Sequence, residues 1–199
     1  MKAVFLSILI GYFLGSLSPS YVVAMLKKVD LRHKGTGNLG ATNVFCSVGK
    51  VIGVLVMLFD ILKAFAAVTI SSALFDEFVY AGVLSGSAAV LGHIFPFYLH
   101  FRGGKGTACF GGMILGLKWE MFIPLLFVSL AIAIIANYLF IAPVFASAVF
   151  PLAYSVLFGD AVSFLILSAA CACIVVKHGE NFRKIKERKE PQIRCRAIK

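Results

Sequence analysis

The sequence predicts an all-α polytopic membrane protein of about seven transmembrane helices, with the N-terminus outside and the C-terminus cytoplasmic. Three observations carry that fold class. Of the 199 residues, 60% are hydrophobic, and the mean hydropathy of +0.95 lies far above that of soluble domains. Charge-free stretches recur at residues 3–26, 121–159 and 161–176, and about 20 apolar residues suffice to cross the ~30 Å hydrocarbon layer. The net charge of +10 is concentrated in residues 27–50, in the short loop holding Arg102 and Lys105, and in the tail from Lys177. Basic loops stay in the cytoplasm, so these three segments share that face and the number of crossings is odd.

The first span covers 3–26. A cleaved signal peptide would pair a short apolar region with a small-residue cleavage site, whereas the apolar character here continues to Leu26. The second span, about 51–75, carries Asp60 and Lys63 three residues apart, on one helix face, where they neutralise each other and turn towards protein or water rather than lipid. Fastening helices together accounts for that pair at least as well as catalysis. The third span runs from about 78 to 99, and its Ser85, Gly86, Ser87, Ala88 and Ala89 allow close backbone approach. Residues 107–118 form a helix reaching only about 18 Å at 1.5 Å per residue, so it starts in a protein-lined recess or is extended at its far end. The stretch 121–159 is long enough for two crossings. Pro143 is the expected break, because proline donates nothing to the helix ladder and disfavours helix at the residue before it. The last span is about 161–176. Five full spans plus two partial ones are the alternative count. With no internal repeat and no low-complexity tract, residues 1–199 read as a single membrane domain whose basic cytoplasmic tail is 177–199.

Five cysteines (Cys46, Cys109, Cys171, Cys173 and Cys195) are odd in number and contain no C-x-x-C pair, which speaks against disulfides and a structural zinc. Cys109, Cys171 and Cys173 read as small apolar packing residues. A basic tail beside a membrane meets anionic headgroups more readily than nucleic acid.

Three polar segments interrupt the apolar background. "FRGGKGTA", residues 101–108, brings Gly103, Gly104 and Gly106 around Lys105, between Arg102 and Thr107. Successive glycine amides leading into a helix N-terminus form an anion nest, and the lysine adds a point charge suited to phosphate. A P-loop would place glycine six residues before the lysine and Ser or Thr directly after it, where this chain has Leu99 and Gly106. The plainer reading is close helix packing with a snorkelling lysine. "KGTGNLGATN", residues 34–43, interleaves Gly35, Gly37 and Gly40 with Thr36, Asn38, Thr42 and Asn43. A simple turn needs one or two such residues. This density suits a phosphorylated or polyhydroxyl ligand. "KHGEN", residues 177–181, offers Lys177, His178, Glu180 and Asn181 at the end of the last span, where an interfacial histidine is otherwise merely solvated. The expected topology puts all three segments on one face, where they can converge.

These segments resemble the three cytoplasmic motifs of the bacterial acyl-phosphate:glycerol-3-phosphate acyltransferase (PlsY) family. "GSLSPSY" at 15–21 with "GTGNLGATN" at 35–43 is similar to the first, "GHIFPFYLHFRGGKGTA" at 92–108 to the second and "KHGENF" at 177–182 to the third, with "FDILKA" at 59–64 also fitting. The resemblance covers essentially the whole chain. It implies transfer of a fatty acyl group from acyl-phosphate to the sn-1 hydroxyl of glycerol 3-phosphate, giving lysophosphatidic acid and phosphate, the first step of phospholipid synthesis. It implies catalytic roles for Lys105, His178, Asn181 and Thr36. Substrate binding falls to Gly35, Gly37, Asn38, Gly40, Thr42, Asn43, Arg102, Gly103, Gly104, Gly106, Thr107 and Glu180. No metal and no cofactor are implied. The implied partners are acyl-phosphate, glycerol 3-phosphate and membrane lipids, with room for contact with an acyl-phosphate-forming enzyme and none for nucleic acid. The implied location is the bacterial cytoplasmic (inner) membrane, with the site on the cytoplasmic face.

The chain departs from the family at three positions. Thr36 stands for the usual serine, Cys46 for an arginine able to clamp a phosphate, and Gly179 for another common arginine. A weak or inactive paralogue that binds phosphorylated lipid precursors is therefore one alternative. A transporter of phosphate compounds is another, although its broken-helix site would need access from both sides. A histidine followed five residues later by aspartate, the dyad of other membrane acyltransferases, is absent: those positions hold Asn38, Tyr98, Lys105 and Arg183.

Overall fold

The computed structural model describes residues 1–194, so Cys195 and the end of the basic tail lie outside the described residues. Among the described residues all regular structure is helical: α1 (Lys2–Ser16), α2 (Pro19–Lys27), α3 (Ala41–Ser47), α4 (Lys50–Leu74), α5 (Ala81–Ile94), a 3₁₀ turn (Phe97–Leu99), α6 (Thr107–Ala136), α7 (Ile141–Phe158), α8 (Ala161–Lys177) and α9 (Gly179–Lys186). Among the described residues, six runs are long and apolar enough to cross a membrane: Lys2–Lys27, Lys50–Leu74, Ala81–Leu99, Thr107–Ala136, Ile141–Phe158 and Ala161–Lys186.

Where about seven helices are expected, 107–118 runs on within α6 and is set off from the rest of it by a kink at Lys118 (φ −157°, ψ 94°). The second difference concerns Pro143. It sits in the first turn of α7, where its missing N–H would have had no partner in any case. The break falls instead at Asn137, whose left-handed φ of 65° ends α6 while the Tyr138 N–H reaches back to Ala133 C=O at 3.1 Å. Asparagine tolerates that conformation and serves as a helix terminator.

The chain forms two compact units, Met1–Trp119 and Glu120–Lys199. In the first, α5 lies against both α1 and α4. Small residues permit this: a Cβ added at Gly11 or Gly15 would overlap the backbone of Ser85 or Ala89, the close approach expected of small residues at membrane helix contacts. The first span is broken at Leu17–Ser18. Ser18 caps α2 by accepting from the Tyr21 N–H (3.3 Å), and Pro19 follows as its first residue. A broken helix at membrane depth needs its freed backbone groups satisfied by protein. Tyr98 does part of this, its hydroxyl donating to Ser16 C=O (2.7 Å) and accepting from the Ser18 N–H (3.1 Å). In the second unit α7 packs on α8. Gly159 (φ 64°) closes α7, and Asp160 opens α8 by accepting from the amides of Val162 (2.9 Å) and Ser163 (3.2 Å).

Candidate active site

The polar loop between α2 and α3 is held by two devices. At its ends Leu31 and Leu39 are buried with Val44, Val56 and Leu99 in a small apolar cluster. At its centre Asn43, fully buried on α3, uses its whole hydrogen-bonding capacity on the loop. Its Nδ2 donates to the carbonyls of Leu31 (2.6 Å) and Asn38 (3.0 Å), and its Oδ1 accepts from the Thr36 N–H (3.0 Å) and the Ser47 hydroxyl (3.1 Å). With two donors and two acceptor positions engaged, an asparagine is saturated. The structure therefore places Asn43 as the knot of the loop, whereas Thr36 and Thr42 are exposed and Asn38 is half-buried. Gly35 is required twice: its φ is +61°, and a Cβ there would overlap Asn43 Oδ1. Gly37 turns at φ +74°, and Gly40 precedes the first turn of α3. On the approach to this loop, Asp30 accepts from His33 Nδ1 (2.7 Å) and from the Arg32 N–H (2.9 Å). The hydrogen bond from His33 holds its carboxyl below the usual range.

The glycine loop lies beside it. Arg32 Nη2 donates to the carbonyls of Leu99 (3.4 Å) and Arg102 (3.2 Å), and Gly104 passes so close to Leu39 C=O that a Cβ would come within 2.7 Å of it. The first two polar segments are thus joined within the first unit. The amides of Gly103 and Gly104, expected from sequence to face an anion, donate instead to Ile94 C=O and His93 C=O, each at 3.1 Å. The candidate anion donors of this loop are the amides of the first turn of α6, at 107–109, which by helix geometry have no acceptor within the helix. Gly106 (φ +84°) turns the chain into that helix, next to the half-buried Lys105. Thr107 begins the helix and is exposed, as is Arg102.

Beneath the glycine loop is a buried charged cluster. Asp60 and Lys63 on α4 are 1% and 5% exposed, with Lys63 Nζ 2.7 Å from Asp60 Oδ1. They share a face as their spacing indicates, and His93 of α5, at 7% exposure, joins them through its Nδ1, 3.0 Å from Lys63 Nζ and 3.3 Å from Asp60 Oδ1. Nothing local in the sequence announces His93 as the third member. Its only sign is its place in "GHIFPFY", just ahead of the glycine loop.

The third polar segment is built in the second unit. His178 is buried between α8 and α9, stacked on Phe140 with centroids 6.2 Å apart and planes 14° apart. Its Nδ1 lies 2.9 Å from Ile174 C=O. A carbonyl only accepts, so Nδ1 carries the proton and the acceptor of the neutral ring is Nε2. Asn181 Nδ2 donates to Glu190 Oε1 (2.7 Å). Glu180 pairs with Lys184 one helical turn on, at 2.9 Å. Cys46 is exposed on the last turn of α3, one turn after Thr42, so both fall on the same helix face.

Two glycine-rich loops joined beside a helix N-terminus, in a chain with several helices long and apolar enough to cross a membrane, suit a membrane protein that binds an anionic ligand. The model of the glycerol-3-phosphate acyltransferase family matches residues 5–188. Similar proteins include the glycerol-3-phosphate acyltransferases of Endomicrobium trichonymphae, 35% identical with 95% of each chain covered, and of Aquifex aeolicus, 35% identical over 93% of this chain and 96% of the relative. Among solved structures, the crystal structure of PlsY (YgiH), an integral membrane glycerol 3-phosphate acyltransferase, in its glycerol 3-phosphate form superimposes with a TM-score of 0.86. The identity is 32% over 98% of this chain and 96% of that one. The lysophosphatidic acid form gives 0.83 at 32% identity, over 96% and 95%. This chain belongs to the glycerol-3-phosphate acyltransferase family and is a multi-pass membrane enzyme.

Proposed function

We propose that this enzyme transfers a fatty acyl group from acyl-phosphate to the sn-1 hydroxyl of glycerol 3-phosphate, releasing lysophosphatidic acid and inorganic phosphate at the cytoplasmic face of the bacterial inner membrane. The observation that carries this reading is the junction of the two glycine-rich loops, where Arg32 donates to the carbonyls of Leu99 and Arg102 and Gly104 passes against Leu39 C=O. The match to the family and to structures of PlsY in its glycerol 3-phosphate and lysophosphatidic acid forms supports the substrates.

The chemistry asks little beyond positioning. An acyl-phosphate is an activated mixed anhydride. The acceptor hydroxyl oxygen attacks the acyl carbonyl carbon, the ester C–O bond forms, the C–O bond to phosphate breaks, and inorganic phosphate departs. Lys105 and helix-terminal amides stabilise the charge developing on the carbonyl oxygen and the leaving phosphate. The departing phosphate takes the hydroxyl proton. A second reading makes His178 the base. Its Nδ1–H donates to Ile174 C=O, which leaves Nε2 as the basic nitrogen of the neutral ring.

Replacing Lys105 with alanine tests the assignment: transfer is lost while the protein elutes as a folded species, and near-normal turnover would remove the glycine loop from the mechanism. His178→Gln separates the two proton paths. A rate that keeps its pH profile favours the phosphate, and one that loses a neutral-pH limb favours the histidine. The acyl chain enters from the bilayer, membrane lipids surround the enzyme, and an acyl-phosphate-forming enzyme supplies the donor.

A further inference from the structure

The Asp60–Lys63–His93 cluster touches four separate pieces of chain. Lys63 Nζ donates to Leu17 C=O at the break between α1 and α2, lies 2.7 Å from Asp60 Oδ1 and lies 3.0 Å from His93 Nδ1. His93 Nδ1 also lies 3.3 Å from Asp60 Oδ1, so the ring is held on that side by both partners of the ion pair. Its Nε2 edge abuts the glycine loop: a Cβ added at Gly104 would overlap His93 Nε2. The main chain of the same segment, at His93 and Ile94, takes the amides of Gly104 and Gly103.

Charges buried in this way are a poor means of holding a fold together, since apolar groups of the same volume often stabilise as well or better. What an ion pair adds is a fixed location, because it tolerates little displacement in a medium that screens it weakly. The location fixed here is the backbone of Gly103 and Gly104. Lys105 follows directly, and the first turn of α6 begins two residues later.

We propose that Asp60, Lys63 and His93 are positioning residues for the acyl transfer: they set the height of the glycine loop and so the place at which Lys105 and the α6 amides meet phosphate. The inference rests on the functional reading above for the chemistry, though not for the geometry. Its signature is a loss in kcat with little change in KM, since a displaced loop still offers charge to the substrate but misaligns it at the moment of transfer.

The test uses the full chain in lipid nanodiscs and two variants. His93→Leu removes the ring nitrogens at similar size. His93→Asn places an amide near the position of Nδ1. Two readouts are taken: hydrogen exchange of the peptide containing Gly103 and Gly104, and steady-state kinetics with palmitoyl-phosphate and glycerol 3-phosphate. For His93→Leu, exchange rises about tenfold or more as the local structure opens, and kcat falls about 100-fold with KM nearly unchanged. His93→Asn restores both to within about fivefold of the parent. Parental exchange and kcat in His93→Leu would overturn the proposal, as would an equal fall in both variants, which would mark the ring as packing only. If His93→Leu does not fold, Asp60→Asn, which keeps the side-chain shape and removes the charge, is read on the same assays with the same expectation. If the parent protein forms no lysophosphatidic acid, the functional reading fails and the exchange data alone judge the positioning.

Discussion

Replacing Asn43 with alanine should release the Thr36 loop without unfolding the helices around it. The side chain makes four hydrogen bonds, to Leu31 C=O, Asn38 C=O, the Thr36 N–H and the Ser47 hydroxyl. A typical internal hydrogen bond contributes about 0.5–1.5 kcal/mol net, and a buried group left unpaired costs about 1–3 kcal/mol. Thr36 is exposed and Asn38 and Ser47 are half-buried, so water recovers most of their loss. Leu31, at 1% exposure, has no such recourse. The local cost is therefore about 2–3 kcal/mol, or roughly a 30- to 150-fold rise in opening, at about 1.4 kcal/mol per factor of ten. Hydrogen exchange at the Thr36 amide reads that opening directly, and kcat/KM should fall alongside it. Asn43→Asp keeps Oδ1 for the Thr36 N–H but sets an oxygen against two carbonyls, so it should be at least as damaging as alanine. Unchanged Thr36 exchange in Asn43→Ala would refute the assignment of Asn43 as the knot of the loop, and full activity with the loop open would remove the ordered loop from the transfer.

Gly104→Ala places a methyl group against His93 Nε2 and within 2.7 Å of Leu39 C=O, so turnover should fall about 100-fold by displacing the loop, while Gly179→Ala, which meets nothing within 4 Å, should fold and elute as the parent does. Cys46→Arg, at an exposed position on the face of α3 that carries Thr42, supplies a guanidinium fork able to clamp a phosphate and should lower the KM for glycerol 3-phosphate. An unchanged or raised KM would show that another cation serves the phosphate or that the acceptor differs.

The membrane spans were legible because absence of charge over 20 residues is a one-dimensional property. So was the Asp60–Lys63 pair, whose spacing of three puts both on one helix face. His93 was not, because it lies 30 residues from Lys63 and only the packing of α5 on α4 brings it there. Asn43 shows a different gap. In the string its amide looks as available to a ligand as that of Asn38, and only the direction of the side chain reveals that its bonds go to its own loop. The amides of Gly103 and Gly104 follow the same rule, their partners being set by the tertiary course of the chain after α5. At Pro143 the sequence suggested the wrong break because proline in the first turn of a helix disrupts nothing, while Asn137 could supply the left-handed terminus. The third motif is legible as a segment, but the stacking of His178 on Phe140 and its bond to Ile174 depend on how α8 meets α9.

The identity of the acyl donor is the most direct test of the proposed transfer. The purified protein should be given glycerol 3-phosphate with palmitoyl-phosphate or, in parallel, palmitoyl-CoA, and phosphate release and lysophosphatidic acid formation followed together. Palmitoyl-phosphate should give equimolar phosphate and lysophosphatidic acid, and palmitoyl-CoA no product. Product from palmitoyl-CoA, or none from palmitoyl-phosphate with folded protein, would contradict the proposed transfer.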